Sequence, residues 1–260
     1  MSRLAGAFEA LHREKRAGLV TYITAGDPTP VISCDVLRAI AAAGADVLEV
    51  GVPFSDPIAD GPAIQRATER ALAAGGNLTV TLGMIASVRA EIHQPIVLFT
   101  YVNPVLQMGV DAFVERAAAC GVDGVLLLDL PIEESADMCA RLATRGIDQI
   151  FLISPTTTDA RVRVASSRGR GFLYVISRLG VTGARAQVAG TAAPLVERIR
   201  AATTLPIAVG FGLSRPEHLA EVGQYADAAV VGSALVTVIG DAGLDAAAKA
   251  GAFVRWLRGA

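Results

Sequence analysis

Lysine is nearly absent from this sequence of 260 residues: Lys15 stands in a charged run and Lys249 in the last helical pattern. Neither falls at the end of a strand pattern, so a Schiff-base mechanism has no amine nucleophile to draw on. Histidine and cysteine are almost as scarce. His12, His93 and His218 fall in separate stretches, as do Cys34, Cys120 and Cys139, and neither set has the close spacing of a metal site. His93 and His218 read as surface residues. An odd number of cysteines without paired spacing predicts buried thiols in a reducing compartment. No uncharged apolar run reaches the length of a membrane-spanning helix; the best, 228–240, is too short. The charges of Glu9, Arg13, Glu14, Lys15 and Arg16 leave no room for a signal-peptide core. A formal net charge of −2 gives no electrostatic attraction to nucleic acid or to an anionic membrane. The expectation is a cytoplasmic protein that binds neither and whose acid–base chemistry falls to carboxylates and tyrosine.

What the chain has in quantity is apolar sequence in a regular rhythm. Hydrophobic residues make up 52% of it, ample for a large core. Leu4, Phe8 and Leu11 share one face of an N-terminal helix. Strand patterns then recur at 18–24, 47–52, 95–101, 124–130, 149–154, 172–177, 206–210 and 228–231, with helical patterns between them. Near-continuous apolar strands of this kind are buried on both faces and parallel. An open doubly wound sheet shares the alternation, but the number of strands, their spacing and the chain length favour a closed barrel. The fold expected is a (β/α)8 TIM barrel with an extra N-terminal helix, a single domain over 1–260. Asp27-Pro28 predicts an N-cap and first residue for the second helix, and Ser214-Arg215-Pro216-Glu217 fits a capping box. A Gly-, Ala- and Thr-rich segment, 178–193, predicts a long loop before a helix from Pro194.

The second strand pattern carries the most chemistry. Glu49 lies among Val47, Leu48, Val50 and Val52, and Asp60 follows in a loop stiffened by Pro53, Pro57 and Pro62. A carboxylate in an apolar strand must find a partner or become harder to ionise. Two carboxylates in unlike surroundings suit two chemical roles. A satisfied core acid and a helix N-cap account for the same pattern, and the residues alone leave both readings open. In a barrel the working residues stand at the C-terminal ends of strands, where Glu49, Asp60 and Asp129 fall, with Tyr174 in the sixth strand. Gly183, Gly210-Phe211-Gly212 and Gly232-Ser233 follow strands six, seven and eight. Glycines there either only make tight turns or let backbone N–H groups approach a phosphate, at which a helix after strand eight would point its N-terminus; position in the barrel favours the phosphate.

These motifs together resemble one family. Leu48-Glu49-Val50-Gly51-Val52-Pro53-Phe54-Ser55-Asp56-Pro57-Ile58-Ala59-Asp60-Gly61-Pro62 is similar to the signature of the tryptophan synthase α subunit. Thr24-Ala25-Gly26-Asp27-Pro28, Tyr101-Val102-Asn103-Pro104, Asp129-Leu130-Pro131-Ile132-Glu133-Glu134, Ser177-Arg178-Leu179-Gly180-Val181-Thr182-Gly183 and Gly210-Phe211-Gly212 extend the likeness over essentially the whole chain, in order. The resemblance implies a lyase that cleaves indole-3-glycerol phosphate into indole and glyceraldehyde 3-phosphate. By that likeness Glu49 is the general acid–base group and Asp60 binds the indole N–H. Tyr22 and Phe99 would enclose the indole, and Tyr174 would line the site near Glu49. Gly183, Phe211, Gly212, Gly232 and Ser233 would cradle the phosphate. A lid at 178–193 would close over substrate, with Thr182 reaching Asp60; Leu179 departs from the small or hydroxyl residue more usual there.

The likeness further implies an α2β2 complex in which indole passes to a β subunit through a tunnel. Pyridoxal phosphate would belong to that partner, and no cofactor to this chain. The 53–60 loop, Asn103-Pro104 and Pro131 would face the partner. Competing readings are another phosphate-binding barrel, such as a sugar-phosphate isomerase or an indole-pathway cyclase, a mainly regulatory subunit, and a lyase that works without a β subunit.

Overall fold

A computed structural model describes residues 2–176, 189–210 and 212–259. The chain begins with α1 (Arg3–Glu14), β1 (Gly18–Thr24), α2 (Pro30–Ala42) and β2 (Val47–Gly51). Next come α3 (Pro62–Ala73), α4 (Leu78–Val88), β3 (Ile96–Thr100), α5 (Val102–Met108), α6 (Val110–Cys120) and β4 (Gly124–Leu127). A 3-10 turn (Ile132–Ser135) leads into α7 (Ala136–Thr144), β5 (Asp148–Ile153), α8 (Asp159–Arg168) and β6 (Leu173–Ile176). The remaining elements are α9 (Ala189–Arg200), β7 (Ile207–Gly210), α10 (Pro216–Val222), β8 (Ala228–Val231), α11 (Ser233–Ala242) and α12 (Ala246–Arg258). The eight strands pair in chain order and β8 returns to β1, all in parallel, as the sequence predicts.

The period of two along each strand sorts side chains into two layers. Val20, Val47, Val97, Leu126, Ile150, Ala208 and Ala228 point into the barrel, where Leu4, Phe8 and Leu11 of α1 pack with them. The N-terminal helix is therefore the plug of the lower end. Leu19, Ile23, Leu48, Val50, Ile96, Leu98 and Val125 face outward and bury the apolar sides of the surrounding helices. Pairing of Val20 with Val47 puts Tyr22 opposite Glu49 and Thr24 opposite Gly51. Glu49 thus points inward, one pleat above Val47.

Several local expectations shift by a residue or two. The N-cap of α2 is Thr29, whose hydroxyl accepts the Ile32 N–H at 3.3 Å, with Pro30 in the first helical position. Two X-Pro pairs compete there, and the second starts the helix. Asp27 is instead buried and takes two bonds from Arg70 of α3, at 2.7 and 2.8 Å. The capping box at α10 does not form: Pro216 occupies the first helical position, which makes Arg215 the N-cap, without a side-chain bond. His218 does the work instead, its Nδ1 accepting the Ser214 N–H at 3.1 Å, and it is buried rather than on the surface. His93 is exposed as expected. Helix α9 starts at Ala189, upstream of Pro194, because the alanine-rich stretch propagates a helix and an internal proline removes only one bond of it. Of the expected 178–193 loop, 178–188 lie outside the described residues.

Candidate active site

Above the packed interior, at the C-terminal ends of the strands, lies a cavity of about 160 Å³. Glu49, Asp60, Tyr22, Phe99, Tyr174, Gly212, Gly232 and Ser233 all line it, with Ile64, Leu128 and Leu152 among the apolar residues of its wall. Of the site residues the sequence singles out, these eight converge. Thr182, Gly183 and Phe211 lie outside the described residues, as does Leu179. Asp129 does not join them. Strand β4 stops at Leu127, and Asp129 is exposed on the following loop, where its Oδ1 accepts the Val102 N–H at 2.7 Å and caps α5. Helix α5 itself was not legible in the sequence, which reads Tyr101 as the end of a strand.

Glu49 is 1% exposed, and neither carboxylate oxygen has a hydrogen-bond partner among the described residues. Burial alone raises its pKa from 4.5 to about 8, so the acid is protonated at neutral pH. It is therefore not a satisfied core acid. The rings of Tyr22 and Tyr174 stand close enough to feel its charge, and burial pushes both phenols well above their ordinary values. Room for these rings comes from glycine. A Cβ on Gly210 would fall 2.5 Å from the Tyr174 hydroxyl, and one on Gly51 would collide with that of Tyr22. Phe99 meets Tyr22 edge to face, with centroids 5.3 Å apart, and completes an aromatic corner beside Glu49.

Asp60 is tuned differently. It is buried, and desolvation raises it from 3.8 to about 6, while a hydrogen bond from the Tyr101 hydroxyl at 3.2 Å opposes the rise. It is not the N-cap of α3, which is Gly61 without a side-chain bond. Tyr101 was visible in the sequence only as part of a motif; no local signal ties a tyrosine hydroxyl to a carboxylate 41 positions away.

Gly212, Gly232 and Ser233 line the cavity as well, and α11 begins at Ser233 with its first turn at the cavity. No lysine or arginine lines the cavity among the described residues. An anion there would be held by backbone N–H groups, a hydroxyl and the positive end of a helix. Among the described residues no group of three His, Cys, Asp or Glu could hold a metal ion, and no single helix is long and apolar enough to cross a membrane.

A closed parallel barrel with two carboxylic acids of unlike acidity on one mainly apolar cavity fits the class of barrel enzymes. Comparison with known proteins narrows that class. The family model described as tryptophan synthase alpha chain matches residues 8–255. The tryptophan synthase alpha chain of Solibacter usitatus is 48% identical over 92% of this chain and 90% of its own length. That of Geobacter sulfurreducens is 49% identical over 91% and 89%. Among solved structures, tryptophan synthase of Mycobacterium tuberculosis superposes with a TM-score of 0.89 at 39% identity, covering 98% of each chain. Tryptophan synthase subunit alpha of Legionella pneumophila gives 0.90 at 36% identity, covering 100% of this chain and 98% of that one. The chain belongs to the tryptophan synthase alpha chain family.

Proposed function

We propose that the chain performs the reaction of its family through Glu49 and Asp60. It is a carbon–carbon lyase that cleaves indole-3-glycerol phosphate to indole and glyceraldehyde 3-phosphate, the alpha reaction of L-tryptophan biosynthesis. The observation that carries the residue roles is Glu49, protonated near neutrality and, among the described residues, without a hydrogen-bond partner inside the cavity. Its proton goes to C3 of the indole ring. C3 becomes tetrahedral, and the positive charge lies over C2 and the ring nitrogen, whose N–H hydrogen-bonds the Asp60 carboxylate. The Glu49 carboxylate just formed then takes the proton of the hydroxyl on the carbon attached to C3. That C–C bond breaks, its electrons return to the ring, and the aldehyde carbonyl forms. Glu49 ends protonated, as it began. Fixed charge in a dry cavity acts far more strongly than in water, which suits Asp60 to this task.

In this reading Tyr22 and Phe99 help enclose the indole, and Tyr174 walls the side beside Glu49. Gly212, Gly232 and Ser233 hold the phosphate at the start of α11, joined by Gly183 and Phe211, while Thr182 reaches toward Asp60 from a lid. The chain needs no cofactor of its own. A relative from Pyrococcus furiosus is described in an α2β2 complex with mutual activation, at 39% identity and a TM-score of 0.89, covering 94% of this chain and 98% of that one. The partner here is likewise a β subunit, which carries pyridoxal phosphate and receives the indole. Exposed Ile58 in the 53–60 loop and Leu106 on α5 support an apolar docking face. The reading takes 1–260 as one domain working in the cytoplasm.

The test is the rate of indole release from indole-3-glycerol phosphate by the purified chain, alone and with a tryptophan synthase β subunit. Indole release that rises when the β subunit is added is the expected result. Glu49→Gln should bind substrate and lose nearly all turnover. Unchanged turnover in that variant removes Glu49 from the mechanism, and no indole under either condition overturns the reading as a whole.

A further inference from the structure

Asp60 stands on the loop between β2 and α3, which holds Pro53 and Pro57, and among the described residues one side chain, Tyr101, hydrogen-bonds its carboxylate. The Tyr101 hydroxyl accepts the Ala59 N–H at 3.0 Å and donates to Asp60 Oδ2 at 3.2 Å. With the backbone N–H on a lone pair of the phenol, the O–H is left to point at the carboxylate. The same ring packs on Phe54, with centroids 5.0 Å apart and an angle of 34°. It is 3% exposed and is the N-cap of α5, whose first N–H is fixed by Asp129. One tyrosine therefore grips the 53–60 loop at both ends and is itself seated on the helix that presents Leu106 to solvent.

We propose that Tyr101 is the positioning residue of Asp60: its hydroxyl orients the carboxylate, and its packing on Phe54 holds the loop that carries it. The inference rests on the alpha reaction proposed above. Tyr101 touches neither ring nor phosphate in that reading; it acts by fixing where the Asp60 charge lies. A carboxylate free to rotate on its loop would lose part of its stabilisation of the ring cation while leaving most of the binding pocket intact. The groups whose charge reaches this pair are Tyr22, which senses Asp60 and Glu49, and Asp129, which acts on Tyr101.

The experiment is Tyr101→Phe, which keeps the ring and removes the hydroxyl. Loss of a hydrogen bond to a charged group predicts kcat lower by about tenfold, with KM changed by less than about twofold. The acid limb of the kcat/KM profile should move to higher pH, because the hydroxyl favours the ionised carboxylate. In an Asp60→Asn background the same substitution should alter kcat by less than about twofold, since the two act as a unit. Equal losses in both backgrounds, or an acid limb that does not move, overturn the proposal. Should Tyr101→Phe not fold, Phe54→Leu probes the same contact from its far side: a loss in the wild-type background and none beside Asp60→Asn supports it, and equal losses refute it. Failure of the wild-type chain to release indole is a different outcome and counts against the alpha reaction itself.

Discussion

Glu49 and Asp60 share one cavity yet lose their protons about two pH units apart, with Asp60 near 6 and Glu49 near 8. The proposed mechanism needs Glu49 protonated and Asp60 ionised. Activity should therefore follow a bell, falling below about pH 6 as Asp60 takes up a proton and above about pH 8 as Glu49 loses its own. A kcat/KM profile that is flat across this range would contradict the assignment. Glu49 also costs stability where it is needed. Below its ordinary pKa of 4.5 the carboxyl is protonated in folded and unfolded chains alike. Between 4.5 and about 8 only the unfolded chain ionises it, so stability falls as pH rises and levels off above the folded value. Glu49→Gln removes this penalty, and its Tm should exceed that of the wild type by a margin that widens from about pH 5 to about pH 8. A constant margin would mean that Glu49 is ionised in the folded chain. Glu49 was legible because a lone charge in an apolar run is a local signal. Tyr101 and buried His218 were not, since each owes its role to a partner chosen by the three-dimensional fold or by helix phasing.

Among the elements, α11 separates what stabilises a helix from what binds a ligand. A carboxylate at its first residue would favour the helix through the macrodipole and repel an anion at the same place. Ser233→Asp should accordingly keep or raise Tm while raising KM for the phosphorylated substrate by about tenfold or more. A KM left unchanged would place the phosphate elsewhere. Strand positions and the helix after β8 could be read from the sequence, because burial on both faces writes long apolar runs. Helix starts were harder. At α2 and α10 the sequence offers a plausible cap one or two residues early, and the geometry of a neighbouring proline decides the outcome. The helix α5 was hidden because its seven residues are too few for a periodic pattern, and its start is fixed by Asp129 on a distant loop.

Across the whole molecule, the upper rim carries both the cavity and the apolar surface formed by the 53–60 loop and α5. Leu106 is 59% exposed there and lines no part of the cavity. If a β subunit accelerates the chain as proposed, Leu106→Asp should weaken its binding by about tenfold or more and remove that acceleration, while the rate of the chain alone stays the same. Retained acceleration would move the docking face elsewhere. The closed barrel was legible as a count of alternations, whereas the cavity was not, since it depends on which strands meet across the ring. That ring closes at a seam between β1 and β8, where Arg258 of α12 also bonds the Gly44 carbonyl, the Asp46 carboxylate and, 241 positions away, the Ala17 carbonyl. Tyr22 and Glu49 lie on one side of the seam, and Gly232 and Ser233 on the other. Neighbouring βα units can form from contacts close in sequence, but contacts spanning so many residues are slow to find one another. Catalysis should then be the last property to return on refolding from denaturant, with indole release lagging behind the recovery of helical circular dichroism. On that expectation, activity is a clock that starts only when the two ends of the barrel have met.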